Sequence, residues 1–158
     1  MPGAATFGGS AMYKHILIST DGSELATRGL DHGLNLAKDA GAEVSIVTVT
    51  ELWSTLEMSR SGRKPLEAIE AYENMEAEHA SHVLDAATKK AAEYGITPKV
   101  IHIKDQHPSQ GILSAAEETG CDLIVMASHG RRGINRLLLG SQANEVVTLS
   151  KVPVLIVR

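Results

Sequence analysis

The sequence is poor in aromatic residues, with one Phe, one Trp and three Tyr among 158 residues. Proteins that bind single-stranded nucleic acid stack bases on aromatic side chains, so this composition argues against that class. The formal net charge of −4 provides no basic surface for a nucleic acid either. A core with so few rings has to be filled by aliphatic side chains and Met, which favours an α/β architecture.

Disulfides and membrane spans are also absent from the sequence. Its single cysteine, Cys121, cannot form an intramolecular disulfide, and no apolar run approaches the roughly 18 residues of a membrane-spanning helix. Residues 1–11 are uncharged and lack the basic start and apolar run of a signal peptide. We therefore expect a cytoplasmic protein with a flexible tail over residues 1–11 and one domain over residues 12–158.

Short apolar runs alternate with longer stretches of helical periodicity. The runs predict strands at His15–Thr20, Val44–Val49, Lys99–Ile103, Asp122–Ala127 and Val152–Val157. The stretches between them predict helices at Ser23–Ala40, Leu66–Tyr94, Pro108–Glu118 and Ser141–Leu149. This alternation predicts a mostly parallel sheet with helices on both faces. Ligands of such sheets bind beyond the carboxyl ends of the strands, where the winding direction reverses.

The segment after the fourth predicted strand combines glycines with the start of a helix. Gly130, Gly133 and Gly140 lie between Ser128 and Ser141. Glycine permits positive φ and close approach of main-chain N–H groups to an anion, and a helix N-terminus attracts negative charge. The pattern predicts a phosphate site in which Ser141 caps the helix, binds a phosphate oxygen, or does both. A plain glycine-rich turn with a serine cap is the structural alternative.

Two common phosphate-binding motifs are missing. The sequence has no G-x-x-x-x-G-K-[ST], and no G-x-G-x-x-G follows the first strand. P-loop NTPases and dinucleotide dehydrogenases are thereby disfavoured. No arrangement of Ser, His and Asp indicates a catalytic triad, so any ATP hydrolysis is expected to be slow and incidental.

The stretch from Ala127 to Ser141 resembles the ATP-binding motif of the universal stress protein family, G-x-x-G-(nine residues)-G-[ST]. Gly130, Gly140 and Ser141 match its later positions, whereas Ala127 replaces its first glycine. Residues 13–23 and 152–158 resemble the first and last strands of that family. The resemblance implies one doubly wound, five-stranded parallel sheet of order 3-2-1-4-5 with four helices, the fold of adenine nucleotide α-hydrolases.

The same resemblance implies a site for ATP, or for AMP or ADP. Thr20 and Asp21 would border adenine and ribose, Val49 would contact adenine through its main chain, and Met126 would pack nearby. The ribose and phosphates would be bound by Ala127, Ser128, His129, Gly130, Arg131, Gly140, Ser141 and the N–H of Gln142. Mg²⁺ or Mn²⁺ would join through the nucleotide phosphates, and no residue is assigned as a metal ligand.

Several of these residues have a structural alternative. Asp21 would otherwise form an Asx turn or a helix N-cap, and His129 a structural hydrogen bond. Arg131, Arg132 and Arg136 would form a solvated loop face. His79 and His82 lie three residues apart, but zinc needs further ligands. The Glu51–Pro65 segment is either a lid over adenine or a linker.

Ala127 is the main departure from the motif. If its position needs positive φ or very close contact, alanine weakens binding by about 1 kcal/mol. At the end of an extended strand alanine is nearly neutral, and this is the case we expect.

The resemblance favours a nucleotide-dependent sensor or signalling module of the stress response, acting on an unidentified protein partner. An interaction protein with a degenerate pocket is the alternative. An adenylating or hydrolysing enzyme ranks last, because that class usually carries S-G-G-x-D-S where this chain has residues 19–23. The apolar last strand predicts a homodimer in which a second copy covers it, with Pro153 at its start or on an unpaired side.

Overall fold

The computed structural model describes residues 11–51, 62, 65–130 and 138–158. Within these ranges the elements are β1 (His15–Ser19), α1 (Glu24–Ala40), β2 (Glu43–Thr50), α2 (Pro65–Glu93), β3 (Lys99–Lys104), α3 (Pro108–Thr119), β4 (Leu123–Ala127), α4 (Ser141–Leu149) and β5 (Val154–Val157). Every predicted strand and helix is confirmed to within two residues at each end. No helix in the described ranges has the length and apolar character needed to cross a membrane.

The strands form one sheet of order β3-β2-β1-β4-β5, and all neighbours pair in parallel. Ile18 of β1 lies beside Ile46 of β2 and Val125 of β4. This confirms the predicted fold class. The winding direction reverses between β1 and β4, so the carboxyl ends of these two strands open onto the same crevice.

The sheet separates two apolar cores because its strands are covered on both faces. Alternate residues of β1 serve different faces: Ile16 and Ile18 pack with α1 and α2, whereas Leu17 packs with α3 and α4. Cys121 is buried in the second core, as predicted for a small apolar side chain, and this burial raises the pKa of its thiol.

Glycines let two helices approach the sheet closely. A β-carbon at Gly33 of α1 would lie 2.6 Å from Cδ1 of Ile18, and one at Gly111 of α3 would lie 2.6 Å from Cγ2 of Val49. Neither space admits a methyl group without movement of the neighbour. Gly111 therefore determines how closely α3 packs beside the end of β2.

The amino end of the sheet is held by a partly buried polar cluster. Asp122 accepts hydrogen bonds from the main-chain N–H groups of Lys14 and His15, at 2.8 and 3.1 Å. Burial opposes the charge of Asp122, but these hydrogen bonds outweigh it and lower the pKa of the carboxyl. His15 Nε2 lies 2.8 Å from Oγ of the fully buried Ser45. This cluster lies at the opposite end of the strands from the crevice.

Candidate functional site

A cavity of about 920 Å³ lies beyond the carboxyl ends of β1, β2 and β4. Its lining includes every predicted site residue within the described part of the chain, namely Thr20, Asp21, Val49, Met126, Ala127, Ser128, His129, Gly130, Gly140, Ser141 and Gln142. Arg131, Arg132 and Arg136 lie outside the described residues. The fold thus brings residues separated by more than one hundred positions to one cavity, although what they bind is a separate question.

The N-terminus of α4 opens into this cavity. Its N-cap residue is Gly140, which has no side chain to cap the helix. The N–H of Gly140 donates to the carbonyl oxygen of Ser128 at 2.9 Å. The next three N–H groups, on residues 141–143, have no acceptor within the described ranges. Helix geometry leaves such groups available to an outside acceptor, and their dipoles favour an anion.

Ser141 does not cap α4, so that part of the prediction is wrong. It is the first residue of the helix, and Gly140 occupies the cap position with φ −57° and ψ 151°. A serine caps when it precedes the first helical residue, where its side chain can reach the N–H two or three positions on. Ser141 lines the cavity instead.

The motif glycines meet a need for space rather than for positive φ. A β-carbon at Gly130 would lie 3.0 Å from Oδ2 of Asp21, and one at Gly140 would lie 2.8 Å from the carbonyl oxygen of Ser128. Neither is among the described glycines with positive φ. Positive φ is therefore not the reason for glycine at these two positions, whereas lack of space for a side chain is; the predicted approach of their N–H groups to an anion stays a prediction. Gly133 lies outside the described residues.

Ala127 is the last residue of β4 and pairs in register with Val157 of β5. Among the described non-glycine residues, positive φ occurs at Asp105 and not at Ala127. The extended conformation expected for Ala127 is confirmed. Its methyl group therefore causes no strain in the main chain.

The turn after β1 combines a structural role with a place in the cavity. Oδ1 of Asp21 accepts a hydrogen bond from the N–H of Ser23 at 2.9 Å, which is an Asx turn. The N-cap of α1 is Ser23, whose hydroxyl oxygen accepts from the N–H of Ala26 at 3.2 Å. The Asx-turn alternative for Asp21 is thus confirmed and the N-cap alternative is wrong. Asp21 lines the cavity at the same time.

His129 also makes the structural hydrogen bond that was its alternative role. Its Nδ1 lies 3.0 Å from Oγ of Ser128, a buried residue, and both residues line the cavity. This contact orients the ring beside the cavity.

Sequence reasoning missed one wall of the cavity. Tyr72, Met75 and Glu76 of α2 line it, and the hydroxyl of Tyr72 donates to the carbonyl oxygen of Glu51 at 3.1 Å. The carboxylate of Glu51 lies 3.6 Å from Nδ1 of His107, just before α3. Helical periodicity shows which side chains share a face, but not which cavity that face borders. Of the predicted lid or linker, residues 52–61, 63 and 64 lie outside the described part.

Metal ligands do not gather in the described ranges, where no group of three or more His, Cys, Asp and Glu could hold an ion. His82 instead lies 3.8 Å from Glu78 one turn earlier, with both side chains 77% exposed.

Comparison with known proteins adds independent information. Residues 12–158 match the universal stress protein family. The universal stress protein YxiE of Bacillus subtilis is 35% identical over 149 residues, which cover 93% of this chain and all of that protein. The solved structure of MJ0577 from Methanocaldococcus jannaschii is 31% identical with a TM-score of 0.76, and the match covers 92% of this chain and 96% of that one.

Two more distant structures share the fold and contain nucleotides. A universal stress protein in complex with cAMP is 24% identical, with a TM-score of 0.64 over 92% of this chain and 97% of that one. The universal stress protein of Archaeoglobus fulgidus in complex with dAMP is 20% identical, with a TM-score of 0.64 over 92% of this chain and 98% of that one. The matching family, the close relative and the shared fold agree: the chain belongs to the universal stress protein family.

Proposed function

We propose that this chain binds an adenine nucleotide, ATP or AMP, in the cavity at the carboxyl end of the sheet. One observation carries the proposal: the uncapped N-terminus of α4 opens into the cavity beside Gly130. Three main-chain N–H groups there are available to one anion, and a phosphate matches both their spacing and their charge. A plain glycine-rich turn, the structural alternative, gives no reason for the N-terminus of α4 to face a cavity.

The other walls suit the rest of a nucleotide. Asp21 lines the cavity beside Gly130, and its carboxylate could accept hydrogen bonds from the hydroxyls of a ribose. Val49 lies near the end of β2 and would contact adenine through its main chain. Met126 and Ile112 provide apolar surface for the base.

Mg²⁺ or Mn²⁺ would enter together with a triphosphate. The described residues offer oxygen ligands singly, as in Asp21 and Ser141, and no cluster of three. The phosphates would therefore supply the main ligands, with these side chains positioning the ion. The cAMP and dAMP complexes of distant relatives support an adenine nucleotide as the ligand.

We further propose that nucleotide occupancy changes how the protein engages a partner in the stress response. A homodimer would form through β5, an edge strand whose Leu155 is 38% exposed. Val147 and Leu149 of α4 are exposed in the same part of the chain, at 45% and 53%. Antiparallel pairing with a second copy would complete the edge and cover apolar surface. The cytoplasm remains the compartment that the composition predicts.

The test is calorimetric titration of nucleotide-stripped protein with ATP, AMP and a flavin, each with and without Mg²⁺. We expect micromolar binding of an adenine nucleotide and loss of that binding in Gly130→Val. Absence of binding by every ligand would contradict the proposal and favour an interaction protein with a degenerate pocket. Measurement of phosphate and pyrophosphate release in the same samples distinguishes a binding module from an enzyme.

A further inference from the structure

Gln142 makes contacts in two helices at once. Its main chain belongs to the first turn of α4 and lines the cavity. Its side chain points to α3, where Oε1 accepts a hydrogen bond from the main-chain N–H of Ser109 at 2.9 Å. Ser109 is the second residue of α3 and is fully buried.

Helix α3 lacks an N-terminal cap from its own chain segment. Its N-cap residue, His107, makes no side-chain capping hydrogen bond, and Pro108 at the first position has no N–H. The N–H of Ser109 is therefore a donor that the helix itself cannot satisfy. Gln142 fulfils the capping role from the neighbouring helix.

Burial makes this cap hard to replace. Because Ser109 has no exposed surface, water cannot reach its N–H unless α3 and α4 separate. The hydroxyl of Ser109 also has no hydrogen-bond partner in the described structure. Its surroundings therefore show no second acceptor that could replace the side-chain oxygen of Gln142. Loss of the Gln142 oxygen would leave a buried N–H unsatisfied, which favours a shift of one helix end relative to the other.

We propose that Gln142 is a positioning residue for the phosphate site: by capping α3, its side chain fixes the direction in which the first turn of α4 presents its N–H groups to a phosphate. This role rests on the proposed nucleotide binding and refines it. It predicts that the side chain of Gln142 affects recognition of phosphate and leaves recognition of the nucleoside unchanged. Asp21, Val49 and Met126, which would contact ribose and base, lie on or directly after β1, β2 and β4, and this hydrogen bond does not hold those strands. Ile112 is the one proposed base contact on α3, and it lies beyond the capped N–H group.

The same helix pair provides a matched control. Nε2 of Gln110 donates to Oε1 of Glu145 at 2.6 Å, a second hydrogen bond between α3 and α4 that is exposed to solvent. Gln110 does not line the cavity. Gln142→Met and Gln110→Met each remove one hydrogen bond between the helices and keep a side chain of similar length. Only the first leaves a buried donor beside the phosphate site.

The experiment measures the affinity of ATP and of adenosine for wild type, Gln142→Met and Gln110→Met by calorimetry. We expect Gln142→Met to weaken ATP by about tenfold, which corresponds to about 1.4 kcal/mol, and to leave adenosine unchanged. Gln110→Met is expected to bind both ligands like wild type. Amide hydrogen exchange provides a second readout: the N–H of Ser109 should lose protection in Gln142→Met and keep it in Gln110→Met.

Three results would overturn the role of Gln142. Equal weakening of ATP and adenosine would make the side chain a general packing element, and unchanged ATP affinity in Gln142→Met would show that the cap does not position α4. Retained protection of Ser109 in that variant would show that the cap is dispensable. Failure of wild type to bind either ligand would overturn the proposed function itself, a result distinguishable from these three.

Discussion

Gly130 lies so close to Asp21 that a β-carbon at position 130 would come within 3.0 Å of the carboxylate oxygen Oδ2. These residues follow β4 and β1, the two strands between which the winding of the sheet reverses. The main chain of one loop thus meets the side chain of the other at the floor of the cavity. Any larger residue at position 130 would fill space that a ribose or phosphate would use.

Replacement of Gly130 with valine is expected to weaken ATP binding by at least about tenfold. The added side chain crowds Asp21 beside the cavity and disturbs its Asx turn, so the free energy of unfolding should fall by about 1 kcal/mol while the protein stays folded. Calorimetry and urea denaturation measure the two effects. Undiminished affinity in a folded Gly130→Val protein would remove this loop from the site.

Replacement of Gly111 with alanine should destabilise the fold by about 1–3 kcal/mol, because the added methyl group meets Cγ2 of Val49 at 2.6 Å. Val49→Ala removes the methyl groups that cause the overlap. In the double variant the loss should therefore be smaller than the sum of the two single losses. Urea denaturation of wild type, the two single variants and the double variant provides the coupling free energy between the two positions. Strictly additive losses would show that α3 moves away from β2 instead of pressing on Val49.

Asp122→Asn is expected to lower the free energy of unfolding at pH 7 by about 1–3 kcal/mol, since the charged carboxylate accepts two main-chain hydrogen bonds. The pKa of Asp122 is lower in the folded chain than its ordinary value, so this stabilisation is complete above about pH 4. It declines as the pH falls through the folded-state pKa.

Urea denaturation of wild type and Asp122→Asn at pH 7, 5, 4 and 3 checks this dependence. The difference between the two proteins should be constant from pH 7 to 5 and should shrink below pH 4. A difference that stays unchanged at pH 3 would mean that the charge of Asp122 contributes nothing. Because the cluster lies at the amino end of the sheet, ATP affinity at pH 7 should be unaffected.

Leu155→Glu is expected to convert the proposed homodimer into a monomer, because it places a charge in the middle of the exposed edge strand β5. Val100→Glu is the matched control: it lies on β3, the opposite edge of the sheet, and is 45% exposed. Sedimentation velocity at micromolar concentration measures the oligomeric state of both variants. Dissociation by Val100→Glu, or a dimer that persists in Leu155→Glu, would place the interface elsewhere.

Most of the fold could be predicted from the sequence, because the spacing of apolar residues differs between strands and helices and a particular residue ends many of these elements. Gly41 and Gly120, for example, adopt the left-handed conformation that ends α1 and α3. The carboxyl ends of parallel strands lie at one edge of the sheet, which predicts a ligand site there. That the loops after β1 and β4 share this site follows from the strand order, which the family resemblance implied and the structure confirms.

What could not be predicted depends on how helices lie against the sheet. Tyr72 and Met75 reach the cavity because α2 packs in one particular rotation, which is decided by side-chain packing across the domain. The hydrogen bond from Ser109 to Gln142 joins residues 33 positions apart on neighbouring helices, and neither residue alone signals it. The shift of the α4 cap from Ser141 to Gly140 is a difference of one residue that helix periodicity does not resolve.

The extended conformation of Ala127 has a consequence for how relatives of this chain can be detected. A search pattern that demands glycine at that position would reject the sequence, although the extended strand there accommodates alanine. Within the motif, positions 130 and 140 are the described ones at which a β-carbon has little room, so glycine carries information there. A search pattern that requires glycine only where a β-carbon has no room would recover diverged chains that keep the same cavity.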